Sequence, residues 1–427
     1  MYDLSVIGAG WAGFNACLRA REAGLKVCLI EAAKLGGTCL NSGCIPTKTL
    51  IQSAKIYSLV KRSSSFGIEL DNPRINFGKI QERKEKIVAQ LGQGMRSGLA
   101  GIDFVNSRAR IISANDIKVD GRQIKAKFIL IAAGSRPVEL PGFKFDSLKV
   151  INSSQALLLQ EVPQSLLIIG GGVIGCEFAG LFSTLGSRVS IVEKMPQLLP
   201  GADKEVARKI EVIFKKKGIK VDTDTDASAL DVNNYAKILV CVGRAADTSG
   251  LGLEEAGVKT EKNQIIVNDY LETSIPNIYA AGDCASSVML AHYAAYQGRA
   301  AVENMINKRS YKADNRIIPS CIFTDPEIAG VGMNEDEAKA RGLELNVHKF
   351  DFLGSGMARI IDETEGFIKI ISNRASEEIL GASIIGPKAT ELIAIFTVAI
   401  SARLKVSQIR ETIFAHPTLS ESIHEAL

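Results

Sequence analysis

The sequence predicts an α/β protein in which two parallel-sheet units are followed by a different, α+β unit. Two observations support this prediction. A glycine-rich loop at residues 8–13 follows a short apolar strand at 4–7, and a second loop of the same form at 170–175 follows a strand at 165–169. From about residue 311 the pattern changes and no such loop recurs. The repeated strand, loop and helix indicate an internal duplication.

The first loop has the spacing that a bound dinucleotide requires. Gly8 permits the tight turn, Gly10 lets backbone N–H groups approach a pyrophosphate, and Gly13 lets the helix pack closely on the strand. The next strand ends at Glu31, whose carboxylate can accept hydrogen bonds from ribose hydroxyls. The segment is therefore predicted to be a Rossmann-like dinucleotide-binding unit.

The second loop repeats this pattern and ends its second strand at Glu193. This carboxylate would repel a 2′-phosphate, and no arginine lies between Glu193 and Arg208 to bind one, so NAD is preferred over NADP. Hydride transfer between a nicotinamide and a flavin is an economical reason for two dinucleotide sites in one chain. We therefore expect FAD at the first loop and NAD at the second.

Cys39 and Cys44 lie soon after the first loop, in GGTCLNSGCIPTK. An unbroken helix would hold their Cα atoms about 8–9 Å apart, beyond the disulfide limit of about 7 Å. We expect an irregular turn at residues 41–43 that allows the bridge to close. The alternative is two inert buried thiols, which is the expectation for five cysteines in apolar strands or helices: Cys17, Cys28, Cys176, Cys241 and Cys321.

Composition excludes several other functions. A net charge of +4, from 51 basic and 47 acidic residues, gives nucleic-acid binding little support. No apolar run reaches the length of about 18 residues that a membrane span needs. The first strand begins almost at Met1, which leaves no room for a signal peptide, so we expect a cytosolic, reducing compartment. In such a compartment a cysteine pair is more often catalytic than structural.

The segments Gly36-Gly37-Thr38-Cys39 and Cys44-Ile45-Pro46-Thr47-Lys48 resemble the redox motif of the flavin-dependent pyridine nucleotide-disulfide oxidoreductases. The resemblance implies that Cys39 exchanges with the substrate disulfide and that Cys44 contacts the flavin. It also implies that Lys48 approaches the isoalloxazine, where a cation favours the reduced, anionic ring. The alternative for Lys48 is a solvated surface lysine.

The same resemblance implies two sets of cofactor contacts. For FAD, beyond Gly8, Gly10, Gly13, Glu31 and Lys48, they are Gly37, Thr38, Ala109, Ala133, Gly134, Ser135, Asp283, Met289, Leu290, Ala291 and His292. For NAD they are Gly170, Gly172, Val173, Ile174, Gly175, Glu177, Glu193 and Gly243. Three of these have ordinary alternatives: His292 as a packed or capping histidine, Glu177 as a first-turn helix carboxylate, and Gly243 as a strand-end turn. No metal site is expected.

Near the C-terminus, His416 and Glu421 lie in the hexapeptide HPTLSE. A thiol must lose a proton to attack a disulfide, and a histidine oriented by a glutamate can accept it near neutral pH. The hexapeptide and the segment at 324–332 resemble the branch of the family that oxidises dihydrolipoamide to lipoamide with NAD⁺. In that branch the histidine serves the cysteines of the other subunit, which implies a homodimer. Its partners would be the lipoyl groups of 2-oxoacid dehydrogenase or glycine cleavage complexes.

Two other functions remain open from the sequence alone. One is an NAD(P)H-dependent reductase of another small disulfide, such as glutathione disulfide. The other is a non-catalytic, redox-sensing nucleotide-binding protein. No cysteine follows Cys321, which argues against family branches that add a C-terminal redox pair.

The expected organisation is two Rossmann-like dinucleotide-binding domains, for FAD and NAD, and a C-terminal α+β interface (dimerisation) domain. The boundaries are 1–145 (FAD), 146–245 (NAD), 246–312 (return to FAD) and 313–427 (interface). An apolar helix at 390–404 could equally be core, so dimerisation rests on the resemblance. The chain is shorter than the family pattern between Gly218 and Ile238 and at its C-terminus, which is expected to affect NAD affinity and the dimer respectively.

Overall fold

The structure is a computed structural model, and it describes residues 1–230, 232–313 and 317–427. Its N-terminal body begins with the first glycine-rich loop and the redox cysteines. The elements of this body are β1 (Tyr2–Ile7), α1 (Trp11–Glu22), β2 (Val27–Glu31), α2 (Gly37–Ser42), α3 (Cys44–Lys61), α4 (Phe77–Gly98), β3 (Asp103–Asn106), β4 (Ala109–Ile111), β5 (Asp116–Val119), β6 (Arg122–Ile131) and β7 (Ser135–Pro137).

Strand β1 lies at the centre of the first sheet and pairs in parallel with β2 and β6. In the described residues the strand order is β3-β2-β1-β6-β5-β4. Both faces of a parallel sheet are covered, so its strands are continuously apolar. Leu4, Leu29 and Leu130 are accordingly fully buried. The carboxyl ends of β1 and β2 meet at one edge, where the first loop and Glu31 lie.

The second body has a smaller parallel sheet built on the same plan. It contains β8 (Val150–Ile151), α5 (Ser153–Ala156), β9 (Ser165–Ile169), α6 (Val173–Thr184), β10 (Arg188–Val192), α7 (Lys204–Lys216), β11 (Lys220–Asp222) and β12 (Lys237–Val240). The described strands are ordered β11-β10-β9-β12-β8, and all are parallel. Between β11 and β12 the described residues hold one 3₁₀ turn, Ala227–Ala229, and no strand.

The chain then returns to the first body through β13 (Arg244–Ala246), β14 (Thr260–Glu261), β15 (Gln264–Ile265), β16 (Ile278–Ala280) and α8 (Ala291–Asn307). Strand β16 pairs in parallel with β6 and so joins the first sheet. Helix α8 packs against α1, and Gly298 makes this possible, because a Cβ there would lie 2.1 Å from the carbonyl oxygen of Ala12. The return places the end of β16 beside the first glycine-rich loop.

The C-terminal body is an α+β layer with an antiparallel sheet. Its elements are β17 (Ser320–Ile322), β18 (Glu327–Gly332), α9 (Glu335–Ala340), β19 (Leu345–Asp351), α10 (Gly356–Ile360), β20 (Phe367–Asn373), β21 (Ile379–Gly386), α11 (Ala389–Ser401), α12 (Val406–Arg410) and α13 (Ser422–Ala426). The described strands are ordered β17-β18-β21-β20-β19. Helix α11 covers the sheet and buries Phe396, but Val398 is 66% exposed. The helix is thus partly core and partly surface.

An ionic cluster joins the second and C-terminal bodies. Lys369 of β20 has a side chain only 4% exposed, and its ammonium group lies 3.0 Å from Asp203, 2.7 Å from Glu205 and 2.7 Å from Glu335. Asp203 also caps α7 by accepting the backbone N–H of Glu205. The cluster fixes the position of α7 against the C-terminal sheet. Nowhere in the described ranges is a helix both long and apolar enough to cross a bilayer.

Candidate active site

The three glycines of the first glycine-rich loop have different steric surroundings. Gly8 has φ +103°, and a Cβ on it would lie 2.2 Å from the carbonyl oxygen of Ala132. A Cβ on Gly13 would lie 1.9 Å from the carbonyl oxygen of Gly8. Gly10, in contrast, faces open space, with no atom within 4 Å of the Cβ position. The outer glycines are therefore required by the fold, and the middle one leaves room for a ligand at the amino end of α1.

The second loop repeats these three environments. Gly170 has φ +107° and its Cβ position lies 2.5 Å from the carbonyl oxygen of Cys241, while that of Gly175 lies 2.0 Å from the carbonyl oxygen of Gly170. Gly172 again faces open space. A cavity of about 310 Å³ adjoins Gly172 and Val173, between this loop and β18. That volume is at the lower end of the range of small-molecule sites.

The carboxylates at the ends of the second strands are held in the same way in both units. Glu31 accepts the backbone N–H of Ala9 at 2.6 Å on one oxygen and that of Ala33 at 2.7 Å on the other. Glu193 accepts the N–H of Gly171 at 2.6 Å and that of the residue two positions after itself at 2.8 Å. The duplication seen in the sequence thus extends to the hydrogen bonds.

The redox cysteines lie on either side of a break between two helices. Helix α2 ends at Ser42, Gly43 adopts φ −143° and ψ −110°, and α3 begins at Cys44. The irregular turn expected from the sequence is present. It brings the sulfurs of Cys39 and Cys44 close enough to share a hydrogen bond. Thr38 belongs to α2, and Gly37 begins that helix.

The electrostatics of this pair place the thiolate on Cys44. The hydrogen bond from Cys39 and the nearby ammonium of Lys48 lower the pKa of Cys44 to about 7, against the opposing effects of burial and Glu177. The same shared proton, together with burial, raises the pKa of Cys39 well above its usual range. Cys44 also begins an 18-residue helix, and the amino end of a helix favours an anion.

Lys48 makes a two-pronged ion pair that the sequence did not predict. Its ammonium lies 2.8 Å from both carboxylate oxygens of Glu177, whose side chain is 4% exposed. Glu177 also accepts the backbone N–H of Phe323 at 3.0 Å, and Lys48 lies 4.8 Å from the centre of the Phe323 ring. The pair therefore joins α3, α6 and the C-terminal body. Lys48 is therefore not simply a solvated surface lysine, and Glu177 is not simply a first-turn helix carboxylate.

A second cluster lies where the chain returns to the first sheet. The hydroxyl of Ser135 donates to Asp283 at 2.5 Å, and the guanidinium of Arg244 donates to the Ser135 hydroxyl at 2.8 Å and to its carbonyl oxygen at 2.6 Å. Burial lowers the pKa of Arg244, and Asp283 opposes this shift. Gly243, with φ +127°, turns the chain into this arginine. The sequence predicts roles for Ser135, Asp283 and Gly243 but none for Arg244, which follows Gly243 directly.

The remaining residues assigned to FAD have simpler surroundings. His292 is exposed, and its imidazole Nε2 lies 2.8 Å from the carbonyl oxygen of Pro319. Met289 and Leu290 precede α8, which begins at Ala291. Ala109 is buried in β4. The last two, Ala133 and Gly134, form the turn after β6.

The five cysteines that the sequence predicts to be inert differ from the redox pair. Cys17, Cys28 and Cys176 are fully buried, as expected, while Cys241 and Cys321 are partly exposed. Burial raises the pKa of all five thiols, which makes them poor nucleophiles at neutral pH. Among the described residues no group of three or more His, Cys, Asp or Glu side chains could hold a metal ion.

His416 and Glu421 form an oriented pair on the surface of the C-terminal body. The imidazole Nδ1 lies 2.8 Å from Glu421, which also accepts the backbone N–H of Thr418 at 3.1 Å. These two contacts lower the pKa of Glu421. The imidazole side chain is 80% exposed. Its outer nitrogen is therefore accessible to a group from outside this chain.

Two family models match the chain. The model of pyridine nucleotide-disulphide oxidoreductases matches residues 2–298, and the model of that family's dimerisation domain matches residues 318–427. The chain belongs to this family. The family and the fold class predicted from the sequence are thereby confirmed.

Individual relatives of this pyridine nucleotide-disulfide oxidoreductase agree with that assignment. It is 37% identical to a dihydrolipoyl dehydrogenase of Bacillus subtilis (strain 168), over 100% of this chain and 97% of the relative. It is 39% identical to that of Geobacillus stearothermophilus, over 99% and 94%. Among solved structures, LpdA from Mycobacterium tuberculosis matches with a TM-score of 0.93 at 27% identity, over 99% of this chain and 98% of that one. The HOCl-induced flavoprotein disulfide reductase RclA from Escherichia coli matches with a TM-score of 0.89 at 28% identity, over 100% and 99%.

Proposed function

We propose that this oxidoreductase is a dihydrolipoyl dehydrogenase, which oxidises dihydrolipoamide to lipoamide with FAD as resident cofactor and NAD⁺ as the final acceptor. The observation that carries the proposal is the Cys39–Cys44 pair, with its thiolate on Cys44 beside Lys48. Relatives that are 35% to 39% identical over nearly the whole chain bear this enzyme's name. A reductase of another small disulfide would use the same two sulfurs, so the choice of dihydrolipoamide as substrate depends on the similarity to these relatives.

The residues present fit two dinucleotides. Gly10 and Gly172 each leave open space beside the amino end of a helix, where backbone N–H groups can bind a pyrophosphate. Glu31 and Glu193 keep acceptor capacity for ribose hydroxyls, since each carboxylate oxygen has a second lone pair. Asp283 lies three residues after the end of β16, where it would bind a ribityl hydroxyl. FAD, when bound, would accept the electron pair from the reduced cysteines and pass it to NAD⁺ as hydride.

The chain's own residues carry out the thiol exchange. A substrate thiolate attacks the Cys39 sulfur of the Cys39–Cys44 bridge, the S–S bond breaks, and Cys44 leaves as a thiolate. The second substrate thiol then attacks the mixed disulfide, and Cys39 leaves. Two electrons have now moved to the cysteine pair, and lipoamide is released. His416 accepts the protons that the substrate thiols lose, and Glu421 holds its imidazole in orientation.

A homodimer would complete this site. The dimerisation-domain match over residues 318–427 and the 80% exposure of the His416 imidazole support a base that is supplied to the cysteines of a second subunit. Lipoyl groups of 2-oxoacid dehydrogenase or glycine cleavage complexes would be the protein partners. The reducing compartment stays a prediction from the sequence.

The proposal is tested by spectroscopy and turnover on the purified protein. We expect a flavin spectrum, a long-wavelength thiolate-to-flavin band on anaerobic titration with dihydrolipoamide, and NAD⁺ reduction by that dithiol. Cys44→Ser should abolish the band and turnover, whereas Cys17→Ala, which alters a thiol buried in α1, should preserve both. A colourless protein, or one that reduces glutathione disulfide while ignoring dihydrolipoamide, would contradict the proposal.

A further inference from the structure

The first glycine-rich loop contains the chain's single tryptophan, Trp11. It begins α1, directly after Gly10. The loop is packed against the start of α2: the N–H of Gly36 donates to the carbonyl oxygen of Ala9 at 2.9 Å, and a Cβ on Gly37 would lie 2.8 Å from the Cα of Gly10. This close packing brings the start of α1 next to Cys39, which lies in the first turn of α2.

The indole N–H of Trp11 is shielded from solvent and has no hydrogen-bond partner within the part of the chain that the structure describes. Cys39 is the group next to it that it can influence, because the Trp11 N–H lowers the pKa of the Cys39 thiol while Cys44 and burial raise it more. The N–H does not form a hydrogen bond to any described group, and a neutral thiol sulfur would in any case be a weak acceptor. A buried donor without a hydrogen-bond partner costs free energy, so a functional role for the Trp11 N–H would explain why it is placed there.

We propose that the Trp11 N–H is the hydrogen-bond donor that stabilises the Cys39 sulfur as a thiolate when it leaves the mixed disulfide. The inference rests on the proposed function only in taking Cys39 as the exchanging sulfur. In that step the bond between Cys39 and the substrate sulfur breaks, the electron pair stays on Cys39, and the substrate closes its own disulfide.

The energetics favour such an arrangement. A hydrogen bond to an ionised acceptor is roughly twice as strong as one to a neutral acceptor. The Trp11 contact is therefore weak while Cys39 is a thiol or part of a disulfide, and it strengthens as negative charge develops. An interaction that is stronger in the transition state than in the ground state accelerates the step. Lys48 also lowers the pKa of Cys39, and Cys44 raises it.

The first test compares Trp11→Phe with the unchanged holoenzyme. Phenylalanine keeps an aromatic ring but has no N–H. Both proteins are reduced anaerobically with dithiothreitol and treated with iodoacetamide at neutral pH, and the adducts on Cys39 and Cys44 are quantified by peptide mass. We expect the alkylation rate of Cys39 to fall about tenfold in Trp11→Phe, with Cys44 unchanged. Equal rates at Cys39 in the two proteins would overturn the proposal.

A second measurement needs no Trp11 variant and covers the case in which Trp11→Phe fails to fold or to retain flavin. With ¹⁵N-tryptophan the chain gives one indole N–H resonance, because Trp11 is its single tryptophan. The titration uses reduced Cys44→Ser, because the hydrogen bond with Cys44 is the largest cause that raises the pKa of Cys39. As the pH rises and Cys39 ionises, the indole proton should move downfield in Cys44→Ser but not in Cys39→Ser. An indole resonance that does not shift as Cys39 ionises in Cys44→Ser, or that shifts equally in Cys39→Ser, refutes the inference. Neither test uses dihydrolipoamide, so turnover with that dithiol, measured alongside, reports separately on the proposed function.

Discussion

Replacement of Lys48 by methionine tests the electrostatics of the redox pair most directly. The substitution removes the cation that lies 2.8 Å from Glu177 and that helps to lower the pKa of Cys44 to about 7. Two effects then act in the same direction, because Cys44 loses a favourable charge and gains an unbalanced carboxylate nearby. The pKa of Cys44 should therefore rise, and its thiolate should form at higher pH.

The expected size of the pKa rise follows from the order of the influences on Cys44. The hydrogen bond from Cys39 is the largest of the lowering influences on Cys44 and Lys48 comes next, so we assign to Lys48 about one pKa unit, or about 1.4 kcal/mol. A thiol with its pKa near 7 is half ionised at pH 7. After a rise of about one unit roughly a tenth is ionised, which is about a fivefold loss of thiolate.

The assay is the pH dependence of Cys44 alkylation in the reduced enzyme, with adducts quantified by peptide mass. We expect the midpoint of Lys48→Met to lie about one pH unit above that of the unchanged protein. Lys55→Met is a matched control, because Lys55 lies seven residues further along α3 and pairs with Glu327 at 3.6 Å. A midpoint that does not move in Lys48→Met, or that moves equally in Lys55→Met, would refute the reasoning.

Three further predictions concern other parts of the molecule. Lys369→Met should lower the free energy of unfolding by about 3 kcal/mol, because it leaves the buried carboxylate of Asp203 without its cation. Lys204→Met, which breaks an exposed ion pair with Asp336, should lower it by less than about 1 kcal/mol. Denaturant unfolding measures both, and equal losses would contradict the argument from burial. His416→Gln should lower NAD⁺ reduction by dihydrolipoamide about 100-fold or more, with NADH oxidation by a dye acceptor preserved; a loss of both activities would instead indicate structural damage. Gly13→Ala should prevent proper folding, since its Cβ would lie 1.9 Å from a carbonyl oxygen, whereas Gly10→Ala should fold but bind flavin less tightly. Thermal unfolding and flavin content distinguish the two outcomes. A stable Gly13→Ala protein with a full complement of flavin would contradict the assigned roles.

The parts of the fold that depend on local spacing could be predicted from the sequence. The close strand–helix contacts of Gly13 and Gly175 follow from their positions, because each meets the carbonyl oxygen of the loop's own first glycine. The break at Gly43 was predictable in the same way, from the geometry that a bridge between Cys39 and Cys44 requires. The apolar helix expected at 390–404 is present as Ala389–Ser401, with its end shifted by a few residues.

The contacts between distant segments could not be predicted in this way. Lys48 and Glu177 are 129 residues apart, and nothing in either local pattern selects the other as its partner. Arg244 reaches Ser135 across 109 residues, because β13 pairs with β7. Such pairs depend on how the three bodies pack together, which hydrophobic periodicity does not encode. The resemblance to a family assigned roles to some of these residues without indicating their partners.

The hydrogen bonds from main-chain N–H groups to Glu31 and Glu193 affect how tightly nucleotides can bind. A flexible side chain that a ligand must immobilise reduces affinity by about 0.5–1.5 kcal/mol. Each of these carboxylates already has both oxygens fixed within the folded chain. That entropy is lost during folding rather than at the moment of binding, once in each half of the duplication. The arriving ribose therefore meets an acceptor whose direction is settled in advance.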